Sequence, residues 1–324
     1  MKKRTIIALI VAAVLILAGG AILVLGLSFA GEPENMVTVK EKIYVVNDPF
    51  DSIQGKTADC DVTIVKSAGE FQMVGQETDK VSYSVLVEDG VLKIDVIDLQ
   101  KWYDHIGIFR ENVKITLCLP ERQYESLRVQ TDTGDITVPQ GFTFAAAELF
   151  SDTGDIMVAA AVTDRIISST ATGDIHLQGS APAMVNLETD TGDVDVVAVS
   201  NGELHIKTDT GSMELETVKC KILTCKSDTG DIELNRVIAE DYLQAFNDTG
   251  DVTLTDCDAG ELNIETDTGD IYGVLLSAKI FWGDSDTGNM KVPDSTMGGR
   301  CRVQSSSGDI EFFYKNNVPD WQKS

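Results

Sequence analysis

The tetrapeptide Asp-Thr-Gly-Asp, or a close variant, returns at a nearly fixed interval from residue 132 to residue 309. Its glycines are Gly134, Gly154, Gly173, Gly192, Gly211, Gly230, Gly250, Gly269, Gly288 and Gly308, each 19 or 20 residues after the last. A period of this length marks a fold made of stacked repeats, because one such unit is too short to bury an apolar face alone.

Columns counted from each glycine show what a unit contains. Two residues after it stand Ile136, Ile156, Ile175, Val194, Met213, Ile232, Val252, Ile271, Met290 and Ile310, and four after it most coils carry Val or Leu. Seven before it run Leu127, Ala147, Ile166, Val185, Leu204, Leu223, Leu243, Leu262, Phe281 and Cys301, and five before it is a second mostly apolar column. Apolar residues at alternate positions mean strands with one buried face. A weaker column twelve before the glycine holds Phe142, Ala161, Val199, Val218, Ile238, Cys257 and Leu276, with Ser180 and Thr296 as polar breaks. The pattern predicts an all-β, single-stranded, right-handed β-helix or β-solenoid with 19–20 residues per coil, two clear strands and a short third side. The alternative is a series of antiparallel hairpins, which the third column disfavours.

Residues 37–125 alternate as strands too, with less regularity, and read as an N-terminal cap and first rungs. Residues 126–312 are the regular repeats, and 313–324 a C-terminal cap, with Phe312, Phe313, Tyr314 and Trp321 placed to cover the last rung. The N-terminus is of another kind. Residues 1–4 are Met-Lys-Lys-Arg, and residues 5–30 carry no charge. About 25 apolar residues make a helix of roughly 37 Å, enough to cross a bilayer. Basic residues on the N-terminal side alone leave 1–4 in the cytoplasm and the rest outside. The expectation is a single-pass cell-membrane protein: tail 1–4, signal-anchor helix 5–30, stalk 31–36, extracellular remainder. A cleaved signal peptide is the rival, with Ser28-Phe29-Ala30 as a small-x-small site, but the apolar run exceeds an ordinary signal core.

The formal net charge of -26 excludes nucleic acid as a partner and disfavours anionic lipid surfaces. It favours a cationic peptide, an amine-bearing envelope polymer or a surface protein with a basic face. The six cysteines, Cys60, Cys118, Cys220, Cys225, Cys257 and Cys301, show no metal spacing. Several fall in apolar columns and read as buried free thiols rather than disulfides.

The repeated corner admits several readings. Asp-Thr-Gly is the aspartic-protease triplet, but that chemistry needs one carboxylate pair sharing a proton, not copies along a rod. Stacked carboxylates could hold Ca²⁺, the only cofactor considered, with Asp190, Asp193, Asp228, Asp231, Asp248, Asp251, Asp267 and Asp270 as candidates. The glycine-rich nonapeptide of calcium-binding β-rolls is absent. The favoured reading is that these Asp accept backbone N–H bonds at each turn, and that the Thr before each Gly supplies a stacked hydroxyl column. No enzyme is expected: a repeat this regular leaves no cleft wall, and His105, His176 and His205 fall in different columns. The segment with Trp102, Tyr103 and Phe109 breaks the alternation and is a candidate partner contact.

An N-terminal anchor, the segment Ala58-Asp59-Cys60-Asp61-Val62-Thr63-Ile64, a strand ending Leu117-Cys118-Leu119-Pro120, and then Thr-Gly-Asp-Ile repeats together resemble the bacterial "putative adhesin" family, a domain of unknown function in surface proteins, mostly of Gram-positive bacteria. The resemblance spans about residues 40–315 and implies a β-solenoid, a surface location and adhesin-like or envelope-stress roles, with no established catalytic residues. Cys60 stands where later coils have Gly, so the first rung is expected to be distorted. The chain is expected to be a membrane-anchored, adhesin-like binding protein. An envelope-stress sensor or scaffold is the alternative, and a β-helical polysaccharide lyase or hydrolase the third reading.

Overall fold

The structure is a computed structural model that describes residues 39–78, 80–99, 113–200 and 202–317. The chain divides into two compact units, Met1–Lys40 and Glu41–Ser324, and the second carries the repeats. The proposed anchor helix and stalk, the Trp102, Tyr103 and Phe109 segment, His105 and Trp321 lie outside the described residues. Among those described, no helix is long and apolar enough to cross a membrane.

The repeats coil into a β-solenoid, as the columns require. Ile136, Ile156, Ile175 and Val194 are register partners in one parallel sheet, and Leu127, Ala147, Ile166 and Val185 in a second. Parallel pairing throughout the repeats rules out the hairpin arrangement. Like residues stack because a parallel ladder joins each strand to its equivalent one period away. The inward columns are buried almost completely, forming one apolar interior. Burial of this kind, at about 25 cal/mol per Å² of apolar surface, is what a single coil cannot achieve.

A short third side exists, and the column counted back from glycine finds it at Phe142 and in three later coils but slips by one residue in others. Val199, Val218 and Cys257 are buried as expected, whereas Ala161 and Ile238 are not; Ala160, Val162, Val237 and Ala239 take their place. Leu276 is 45% exposed and Leu275 is buried. The cause is bulging: the ladder shifts register between Phe144 and Ala146, between Ala239 and Tyr242, and between Leu254 and Cys257. A residue inserted after the third side moves that side relative to the following glycine.

Stacking order departs from chain order at both ends. Strand Gly299–Ser307 lies between the Gly269 coil and strand Lys279–Ser285, and Ile310–Tyr314 likewise pairs with both Ile271–Leu275 and Met290–Lys291. The Gly288 coil is therefore the outermost, and the last coil in sequence sits inside it. The N-terminal end mirrors this: Ser52–Lys56 lies between Val91–Asp98 and Gln123–Thr133, and Cys60–Ser67 between Val113–Pro120 and Ile136–Val138. Antiparallel strands Gln72–Glu77 and Val81–Glu88 close that end. The expected C-terminal cap is corrected accordingly. Phe312 is interior, 5.2 Å from the ring of Phe281, in space that Gly273 leaves: a Cβ there would lie 2.1 Å from the Phe312 ring. The Gly288 coil covers it.

Candidate functional site: the Asp-Thr-Gly-Asp corner

From Gly134 to Gly269 each repeat glycine has φ between 137° and 153°. A Cβ on Gly192 would lie 2.0 Å from the carbonyl oxygen of Gly173, and the same approach recurs along the column. Glycine is required twice over, by the backbone angle and by the closeness of neighbouring coils. Cys60 takes the glycine place at the first rung, where strand Cys60–Ser67 begins directly and Gly134 packs on its carbonyl.

The hydroxyl ladder is two residues away from its expected place. The Thr before each Gly is exposed and contributes its main chain, as in Gly154 N–H donating to the Thr172 carbonyl at 2.8 Å. The buried column is three before glycine: Thr131, Ser151, Thr170, Thr189, Thr208, Ser227, Asn247, Thr266 and Ser305. Thr189 Oγ1 donates to the Gly173 carbonyl at 3.0 Å and Thr208 to that of Gly192 at 3.1 Å; the Asn247 amide does the same to Gly230 at 2.7 Å. Each satisfies a corner carbonyl that the interior would leave unpaired. The invariable Ser, Thr or Asn at this position was a readable signal, hidden beside the more regular Thr.

The two aspartate columns divide in role. The Asp after glycine builds the fold: Asp155 Oδ1 accepts the N–H of Asp174 at 2.8 Å, Asp174 that of Asp193 at 2.8 Å, and Asp193 that of Ser212 at 2.7 Å. Asp231 and Asp251 continue the ladder to Asp251 and Asp270, at 2.8 and 2.7 Å, and Asp270 passes it to Asp309 at 2.7 Å. The Asp two before glycine face solvent. Asp209 meets Lys207 at 3.1 Å and Asp228 meets Lys226 at 3.9 Å, while among the described residues Asp190, Asp248 and Asp267 have no hydrogen-bond partner. Of the eight calcium candidates, Asp193, Asp231, Asp251 and Asp270 thus lie in the structural ladder, and Asp190, Asp228, Asp248 and Asp267 in the outward one. Among the described residues no three His, Cys, Asp or Glu are grouped to hold a metal.

His176 lies 3.8 Å from Asp195 on one sheet, and His205 lies 3.7 Å from Glu203 on the other. Cys60, Cys220, Cys225, Cys257 and Cys301 are buried free thiols and Cys118 is partly buried. Burial pushes Cys60 up to about 11 and Cys220, Cys257 and Cys301 up to about 12, so none of these is a ready nucleophile.

The family model described as Toastrack DUF4097 matches residues 50–216 and 200–322. No curated protein matches the chain. Solved structures do. A "putative adhesin" from Parabacteroides distasonis superposes with a TM-score of 0.50 at 13% identity, covering 85% of this chain and 98% of that one. A "putative adhesin" from Bacteroides fragilis gives 0.41 at 14%, covering 85% and 97%. A "putative lipid binding protein" from Parabacteroides distasonis gives 0.43 at 11%, covering 85% and 96%.

Proposed function

The chain belongs to the Toastrack DUF4097 family, a domain of unknown function with a solenoid fold, and from that membership we propose that it is an adhesin-like binding protein. It presents the repeats outside the cell, tethered by residues 5–30, and captures a cationic partner along its outward carboxylates. The observation that carries this reading is the division of the two aspartate columns: one is consumed by backbone hydrogen bonds, while the other is held at solvent by the same stack. Strand spacing sets these outward acids roughly 4.8 Å apart, in a row that a regularly charged chain can match. One surface ion pair contributes about 0–1 kcal/mol, so affinity would come from repetition along the row. The name "putative adhesin" carried by the similar structure from Parabacteroides distasonis supports the reading.

The test is binding of the full chain to a fluorescent oligolysine, with wild type set against a triple variant, Asp228→Asn, Asp248→Asn and Asp267→Asn. The variant should bind about tenfold more weakly, and the difference should vanish at high salt. Equal binding by the two proteins, or none by wild type, sinks the cationic-partner reading. Survival of residues 41–324 in intact cells exposed to protease would sink the surface placement.

A further inference from the structure

The last described coil is an insert. Strands Gly299–Ser307 and Ile310–Tyr314 each lie between two strands that precede them in the chain, one in each sheet. No described coil follows them, only the short 3-10 turn Lys315–Asn317. The insert can therefore leave its slot without unwinding another coil, which an interior coil cannot do.

The walls of the slot are cut for this segment. On the strand beneath, Gly273 leaves the space that the Phe312 ring fills, and Phe281 of the covering strand meets that ring at 5.2 Å. At the other end, Lys279 of the covering strand stands in register with Gly299 of the insert. A Cβ on Gly299 would lie 2.0 Å from the Gly260 carbonyl oxygen beneath and 3.6 Å from Lys279 Cδ above. With no side chain at Gly299, Lys279 reaches back across the insert to strand Val252–Thr268. Its ammonium donates to Asp258 Oδ1 at 2.5 Å and to Ser277 Oγ at 2.6 Å, and Ser277 Oγ donates to the same carboxylate at 2.8 Å. Lys279 is 2% exposed and is the one buried charge among the described residues. The Tyr314 hydroxyl accepts the Lys279 N–H at 3.2 Å, and Lys315 pairs with Asp256 at 2.7 Å. The covering strand is thus latched to the strand beneath, with the insert closed between them.

We infer that the insert is an exchangeable segment, and that the slot it vacates takes the same segment of a second copy of this chain, joining two solenoids through their C-terminal coils. The slot itself selects the second copy. Its occupant must bring a large ring opposite Gly273, a glycine beneath Lys279 and a hydroxyl to the Lys279 main chain, and residues 299–314 carry all three in the right register. The hinge is the connection 292–298, which holds Pro293 and ends at Gly298 with φ 110°. Exchange of a segment between copies through such a hinge makes every contact of the closed form again, so it costs little once the latch opens. The inference goes beyond the binding role proposed above and does not depend on it.

The experiment mixes full chain carrying Glu265→Cys with full chain carrying Gln304→Cys and treats the mixture with a short bismaleimide. Glu265 and Gln304 are register partners on the outer face of strand and insert. A covalent heterodimer therefore reports the insert of one copy in the slot of the other, and its yield should rise with protein concentration and incubation time. Asn186→Cys mixed with His205→Cys, register partners in interior coils, should give only background. Lys279→Met and Asp258→Asn each break the latch and should speed heterodimer formation about tenfold. The control pair is run in both latch backgrounds, so that aggregation of a misfolded variant appears in control and test alike. A heterodimer yield no greater than that of the control pair, or a rate unchanged by both latch variants, overturns the exchange.

Discussion

Each coil turns two unlike corners. At the first, Gly192 has φ 152° and its missing Cβ would sit 2.0 Å from a neighbouring carbonyl oxygen. At the second, six residues after the glycine, successive coils place Gly179, Ala198, Thr217, Arg236 and Asp256 at φ between 55° and 66°. A Cβ on Gly179 would meet nothing within 4 Å. Both corners use positive φ, yet only the first excludes side chains. The difference teaches that positive φ alone does not demand glycine: at the first corner a φ near 150° and the approach of the next coil both exclude a side chain, whereas at the second a φ near 55° is the left-handed region and the space is open. The left-handed region costs an ordinary residue only about 1–2 kcal/mol, which the interior readily offsets.

The sharpest way to break this comparison is Gly192→Ala. It should lower stability by about 4 kcal/mol or more, since backbone must move to admit the methyl group, and chemical denaturation of the full chain measures it. A loss under about 1 kcal/mol would mean that the coils separate easily and that the first corner resembles the second.

Alkaline pH acts on thiols set at both corners. Cys60 occupies a first-corner glycine place, and Cys257 follows Asp256 at a second corner. Burial raises them from 9.0 to about 11 and about 12. The folded state then keeps the thiol protonated where the unfolded chain ionises. This contribution is whole below pH 9 and is lost as pH climbs through 11 to 12. Denaturation midpoints should hold steady up to about pH 9 and then fall, and a Cys60→Ala, Cys257→Ala double variant should fall less steeply. Identical alkaline profiles for the two proteins would remove the thiols from the account.

Thr208→Val separates the buried hydroxyl column from the exposed one. It strips the Gly192 carbonyl of its 3.1 Å partner and should cost about 1–3 kcal/mol. Thr210→Val, on the exposed column, should stay within about 0.5 kcal/mol. Equal effects would return the ladder to the threonine beside glycine.

The smallest expected change has the opposite sign. Thr217→Gly removes a β-branched residue from φ 57° and should stabilise the protein by about 0.5–1 kcal/mol, read as a shift in denaturation midpoint. Destabilisation there would show that the Thr217 side chain contributes more than its strain costs.

The candidate site was legible in part. The outward and structural aspartates look alike in sequence, since each occupies eight of ten coils. What separates Asp190 from Asp193 is which side of the corner faces the next coil, and that is a three-dimensional fact. The hydroxyl column failed for a simpler reason. Thr191 stands in the more regular column, and alternation would put it on the same face as Thr189, but the alternation breaks at the corner, where Asp190 and Thr191 are both exposed while Thr189 is buried.

What the sequence determined by itself is the coil: a period of 19 or 20 residues with apolar residues in fixed columns admits little but stacked parallel strands around a dry interior, because no single period can hide its apolar face. What only the tertiary structure decided is the order of the coils at the ends and the place of the third side. A repeat spacing is the same whether the last coil is outermost or tucked beneath the Gly288 coil, and a one-residue bulge shifts a side without altering the count between glycines. Both are settled by packing between segments distant in the chain, which local pattern does not record.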